Sequence, residues 1–168
     1  HSKNLDQNKK YRIFTVIKNI NNFKEYFEIR NKIFSKYQIN KDILVCKNKN
    51  LLARLETEIK SRKIDVELIS ALDTIKYHKY LSSSLVHFIS YPNKIPYIQQ
   101  TSTRVLDSIL NKIFVISINS MPNKRAIDYY KYDKYAFLIN NPNSYPDIHI
   151  KLPDVKDYEM INKRIKIY

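Results

Sequence analysis

Four histidines, one cysteine and sixteen carboxylates are the groups with which this 168-residue chain could do chemistry. His78 and His87 stand nine positions apart, whereas two imidazoles share one helical face at a spacing of four. A site joining both to Asp73 is conceivable, but His78 reads more simply as the polar end of a helix and His87 as a ring packed beside Phe88. His149 lies between Ile148 and Ile150 and should point to the opposite face from both, as a surface strand residue does. Cys46, Asp42 and a histidine could supply a nucleophile and a base, yet no local sequence provides an oxyanion hole or lowers the thiol pKa. A small buried thiol is the simpler account. Asp154, Asp157 and Glu159 could form a carboxylate pair, but they fall where a helix start would attract acidic groups through its dipole alone.

The chain contains no glycine. That excludes the Walker A loop, the Gly-rich dinucleotide fingerprint, the kinase phosphate loop, the nucleophile elbow and the EF-hand loop, all of which need glycine for positive φ or close backbone approach. One cysteine excludes thiolate-rich zinc sites and any internal disulfide. No catalytic residue, metal ligand or cofactor is therefore assigned, and the chain reads as non-enzymatic, with no small-molecule substrate. No apolar run approaches the roughly 20 residues that span a bilayer.

Basic and aromatic groups remain. Thirty Lys and Arg against sixteen Asp and Glu leave a formal charge of +14, which points to a polyanionic partner. Three clusters are the candidate RNA contacts. The first is Lys124, Arg125, Tyr129, Lys131 and Lys134, where cations for phosphates interleave with rings for unpaired bases. The second is Lys60, Arg62 and Lys63, at the tip of an expected helical hairpin. The third is the two ends, Lys9, Lys10 and Arg12 with Lys163, Arg164 and Lys166. The bland reading is an amphipathic helix with core tyrosines and solvated lysines, and 14 tyrosines in the chain favour it.

Positioning these residues requires elements. Residues 1–10 read as a polar arm and 11–168 as one domain. Tyr11–Ile20 fits a buried strand or a first helix. Asn22 and Glu25 resemble a capping box, followed by a helix over 23–37. Asn50 and Asp65 are read as caps of two further helices, the second burying Leu68, Ile69, Leu72 and Ile75, in an antiparallel hairpin. Ile43–Cys46 is a short strand or turn, and Leu85–Ile89 a short helix or strand. Val105–Ile113 reads as a helix, Ile113–Asn119 as a central strand, and Pro122 as the first turn of a helix ending near Tyr132. Tyr135–Ile139 and Ile148–Leu152 are further strands, and Pro153 opens a last helix. The expected fold class is α+β: a mostly helical N-terminal part over 11–112 with a small mixed α/β C-terminal part over 113–168.

In composition, with Lys, Asn, Ile and Tyr abundant and Gly and Trp absent, the chain resembles lineage-specific mitochondrial ribosomal proteins of AT-rich genomes. The resemblance covers general character over the whole chain and no particular motif. It implies a structural constituent of an organellar ribosome, with rRNA and neighbouring ribosomal proteins as partners and a mitochondrial matrix location, or else another organelle or the cytoplasm. Two alternatives stand beside it. One is an accessory subunit of another mitochondrial complex, held through Phe23, Phe27 and Phe34; the other is a divergent nuclease using Asp147 and Lys151.

Overall fold

In a doubly covered sheet both faces of a strand are dry, so its sequence loses the period-two alternation and becomes continuously apolar. Three segments have this character: Asp42–Val45, Ser84–Ile89 and Phe114–Ile118 are buried along all or nearly all of their length. A computed structural model, describing residues 10–34, 41–90, 103–140 and 147–166, places them in one six-stranded sheet. Its strands are β1 (Lys10–Val16), β2 (Asp42–Val45), β3 (Val66–Ile69), β4 (Ser84–Ile89), β5 (Phe114–Ile118) and β6 (Ala136–Ile139). The order is β3-β2-β1-β4-β5-β6, and every neighbouring pair is parallel.

Parallel neighbours need crossovers, and helices supply them. α1 (Ile20–Phe34) and α2 (Lys49–Arg62) pack Phe23, Tyr26, Ile29 and Leu55 on the face that carries Ile13, Leu44, Val86 and Phe88. α3 (Thr74–Ser82) covers the opposite face over Phe14, Ile43 and Val45. α4 (Thr103–Leu110), α5 (Met121–Tyr129) and α6 (Val155–Lys166) lie over Ile89 and Val115 in a second apolar cluster on that same side. This is a doubly wound, Rossmann-like α/β arrangement.

The expected α+β class is thereby overturned: four of the six strands precede residue 90, where a mostly helical part was expected. Leu68, Ile69, Leu72 and Ile75 mimic a helical stripe, but Val66–Ile69 is the edge strand β3, and Ile75 is 83% exposed in the first turn of α3. The helical hairpin is instead a helix followed by a strand. Asp65 caps nothing; Asp73 does, accepting the Lys76 amide at 2.8 Å. Ile148–Leu152 is not a strand, although its alternation survives, with Ile148, Ile150 and Leu152 buried against the α1 side and His149 exposed. Among the described residues no helix is long and apolar enough to cross a membrane.

Without glycine, three helix exits are built on lysine. Lys63 after α2, Lys112 after α4 and Lys131 after α5 all take positive φ, at 54°, 54° and 57°. A Cβ in that region costs roughly 1 kcal/mol. A cation at a helix C-terminus recovers part of this through the dipole. Lys63→Gly, Lys112→Gly and Lys131→Gly should each raise the unfolding free energy, by up to about 1 kcal/mol, in denaturant melts.

Two buried titratable groups oppose one another. Asp42 is fully buried and accepts from the Ile13 amide (2.9 Å), Tyr26 Oη (2.5 Å) and Arg30 Nε (3.1 Å). Burial outweighs these donors and raises its pKa to about 6. His87, on β4, is fully buried against Phe14, and burial, with Arg104 adding to it, lowers its pKa to about 3. Below its ordinary value near 6.5 the unfolded chain takes a proton that native His87 refuses, so that group costs stability as pH falls. Below about 6, and down to its ordinary 3.8, native Asp42 takes a proton the unfolded chain refuses, so that group adds stability as pH falls. Between them the two cancel. In Asp42→Asn the histidine acts alone, and the unfolding free energy should drop by about 1.4 kcal/mol per pH unit on acidification below about pH 6, relative to wild type. Equal slopes in urea melts of the two proteins would refute the assignment.

Candidate functional site

In an open parallel sheet, ligands bind outside the carboxyl ends of the strands, where two neighbouring strands send their crossovers to opposite faces. Here those neighbours are β1 and β4: α1 leaves for one face and α4 for the other. The register Phe14↔His87 and Thr15↔Phe88 fixes the pair, and Thr15 Oγ1 donates to the Phe88 carbonyl at 2.7 Å near the carboxyl ends of the two strands.

The carboxyl ends of β1 and β4 carry a connected polar network. Asn19 and Asn22 cap each other: the Asn22 amide donates to Asn19 Oδ1 (3.0 Å), and the Lys18 and Asn19 amides donate to Asn22 Oδ1 (3.0 and 3.3 Å). Asn22 Nδ2 donates to Ser90 Oγ at 2.9 Å, at the end of β4, and Ser90 Oγ donates to Glu25 Oε1 at 3.2 Å. Partial burial raises the Glu25 pKa above its ordinary value, against the lowering influence of Ser90 and Asn22. The capping box expected from Asn22 and Glu25 is instead made by Asn19 and Asn22, and Glu25 is turned towards Ser90.

This arrangement occupies the Lys18, Asn19 and Asn22 amides at the N-terminus of α1 with neutral side chains of the chain itself. The α2 and α3 N-termini are capped by side chains as well. Asn48 Oδ1 accepts the Asn50 and Leu51 amides (3.0 and 3.1 Å), and Asp73 is itself an anion at the start of α3. α5 differs: Ser120 stands at its cap position but makes no capping bond, and its buried hydroxyl has no partner.

The expected RNA contacts scatter. Lys9 lies outside the described residues, as do the side chains of Lys10 and Lys166. Arg12 is half-buried on β1. Arg62 is engaged locally, with Nε on Glu58 at 3.1 Å and its guanidinium 4.3 Å from the centre of the Phe27 ring. Lys60 is exposed beside it, and Lys63 is the left-handed cap of α2. Lys124 pairs with Asp128 at 2.6 Å, and Arg125 is half-exposed on the same helix.

One group does converge. Lys131, Lys134 and Arg164 line a cleft of about 300 Å³ together with Asp133, Tyr135 and Asp157, at the end of the sheet opposite the crevice. Arg164 Nη1 donates to the Tyr129 carbonyl at 3.0 Å, and Lys163 is exposed next to it. Tyr135 Oη donates to Asp157.

The other candidates resolve simply. Cys46 is buried, with Sγ 3.6 Å from the Asn48 carbonyl. His78 lies within α3, its Nδ1 3.2 Å from Asn111 Nδ2, and no metal-binding cluster occurs among the described residues. Asp154 caps α6 by accepting the Asp157 amide at 2.7 Å. Phe23 is fully buried and Phe27 packs on the core, so neither is offered to a partner protein; the Phe34 side chain lies outside the described residues. Asp147 and Lys151 are exposed, with Lys151 Nζ 5.6 Å from the centre of the Tyr135 ring.

Asn19, Asn22, Glu25, Ser90 and Ser120 were not singled out as site residues by sequence. The usable signals were Asn-x-x-Asn before a helical stripe, and a serine two places before Pro122. No protein-family model matches the chain, and no curated protein matches it.

Asn22 holds three hydrogen bonds in one side chain, so Asn22→Ala should cost about 1–2 kcal/mol in denaturant melts. Asn22→Asp, which keeps the two caps and loses the donor to Ser90, should recover about half of that. Indistinguishable losses in the two variants would show that the caps contribute nothing.

Proposed function

We propose that this chain is a doubly wound ligand-binding unit that takes a nucleotide-type ligand in the crevice at the carboxyl ends of β1 and β4. The carrying observation is the reversal of crossover side between those two strands, with a hydrogen-bonded polar floor at that point. The inference from topology is a fold-level one; the groups at the site narrow it. A carboxylate at the crevice, Glu25, suits ribose or sugar hydroxyls, whereas the self-capped α1 does not suit the phosphate placement of a Gly-rich dinucleotide site. The binding mode is thus one in which phosphates avoid α1. Calorimetric titration with ATP, UDP and NAD should give saturable binding of at least one, weakened about tenfold by Glu25→Gln and by Ser90→Ala. Binding of none of the three, or binding indifferent to both substitutions, overturns the proposal.

A second reading keeps the RNA-contacting structural role, as in an organellar ribosome, and one observation favours it: Lys131, Lys134 and Arg164 meet around a single cleft, beside the exposed Tyr129. Two acids share that cleft, which dilutes its charge. This reading expects RNA affinity to fall steeply with salt and to be weakened by Lys131→Glu with Lys134→Glu. RNA binding that ignores salt, or is absent, removes it.

A further inference from the structure

We propose that the N-terminus of α5 is the anion subsite of the crevice, where the Ser120 hydroxyl and the first-turn amides receive a phosphate group of the ligand. The inference rests on the reading of the carboxyl edge as a ligand site and assigns the part of it that α1 cannot provide.

The local sequence is Ser120-Met121-Pro122-Asn123. A serine at the cap position ordinarily accepts the amide of the second or third helical residue. Pro122 removes the first of these, and Ser120 does not take the second. Three donors therefore converge on one helix end without a partner among the described residues: the Met121 amide, the Asn123 amide and the Ser120 hydroxyl. Ser120 is 2% exposed and its Oγ is one of only three buried side-chain polar atoms left unsatisfied among the described residues. A buried hydroxyl in that state calls for an acceptor. The Asn123 side chain does not provide one: its Nδ2 donates to Ser117 Oγ at 2.5 Å, and its Oδ1 makes no bond with Ser120.

Charge points the same way. The first turn of α5 carries no acidic residue, and Arg125 follows it, while Lys124 is paired with Asp128 one turn further on. A cation beside a positive helix end is unfavourable by itself and becomes favourable once an anion sits there. Asn119 and Asn140, bonded to each other at 2.5 Å where β5 and β6 end, supply further neutral hydrogen-bonding groups along the same edge.

The test is a titration of the purified chain with inorganic pyrophosphate, followed at the backbone amides by NMR. Saturable shifts should be largest at Met121 and Asn123. Ser120→Ala should weaken binding about fivefold or more. Ser120→Asp, which places a carboxylate at the same point within the chain, should raise the melting temperature and abolish pyrophosphate binding. The melting temperature of each variant establishes that it is folded. Shifts spread over surface lysines with no maximum on α5, or equal pyrophosphate affinity in wild type and Ser120→Asp, overturn the subsite. A nucleoside that still binds in a Glu25-dependent way when pyrophosphate fails would sink the subsite alone. Pyrophosphate bound as expected, with no nucleoside or nucleotide bound, would sink the nucleotide reading alone.

Discussion

The parallel pairing of β1 with β4 is the constraint on which the rest of the molecule hangs. It brings together segments about 70 residues apart, Ile13 opposite Val86 and Thr15 opposite Phe88, and it divides the sheet into two halves that wind in opposite directions. β1, β2 and β4 run through the dry interior, where a buried charge is costly even with partners. Asp42 shows the cost: three donors converge on its carboxylate, and burial still keeps its pKa high. His87 accepts the opposite bargain and stays neutral, with Nδ1 2.6 Å from Ser108 Oγ.

A glycine-free chain must make its sharp exits with side chains present. Lysine takes the left-handed position after α2, α4 and α5, which places cations at helix carboxyl ends where the macrodipole welcomes them. Part of the basic excess therefore has a structural explanation. Lys63 and Lys131, both singled out by sequence as RNA contacts, have such a place in the fold whatever they touch outside it. In the same glycine-free chain the α1 turn is closed by the reciprocal bonds of Asn19 and Asn22.

How much of this was legible in the sequence varies by element, for identifiable reasons. β5 and β6 and helices α1, α2, α4, α5 and α6 were all anticipated, most of them with ends displaced by a few residues. The β1 and β4 segments fit helix and strand equally, because a strand buried on both faces carries no period by which to tell them apart. β3 was misread outright: Leu68, Ile69 and Leu72 fall at helical spacing, and the turn before Asp73 holds neither glycine nor proline to mark the break. With β3 lost, four strands joined by helices could not be seen as a repeating βαβ pattern, and the parallel sheet disappeared with them. The crevice was invisible for the same reason. Its residues are ordinary asparagines and serines, and only the topology brings residue 22 to residue 90.

The separation of β1 from β4 also bears on how the molecule is born. During synthesis β1, β2 and β3 emerge in order, but the central partner of β1 appears only after another 70 or so residues, an interval of roughly 4–15 seconds at ordinary elongation rates. Throughout that time Ile13 and Phe14 lack the strand that later flanks them, and once β3 has followed β2 one edge of the nascent three-stranded half stands open to any extended chain nearby until β4 arrives. The arrival of Ser84–Ile89 closes that edge, turning a vulnerable half-sheet into an interior.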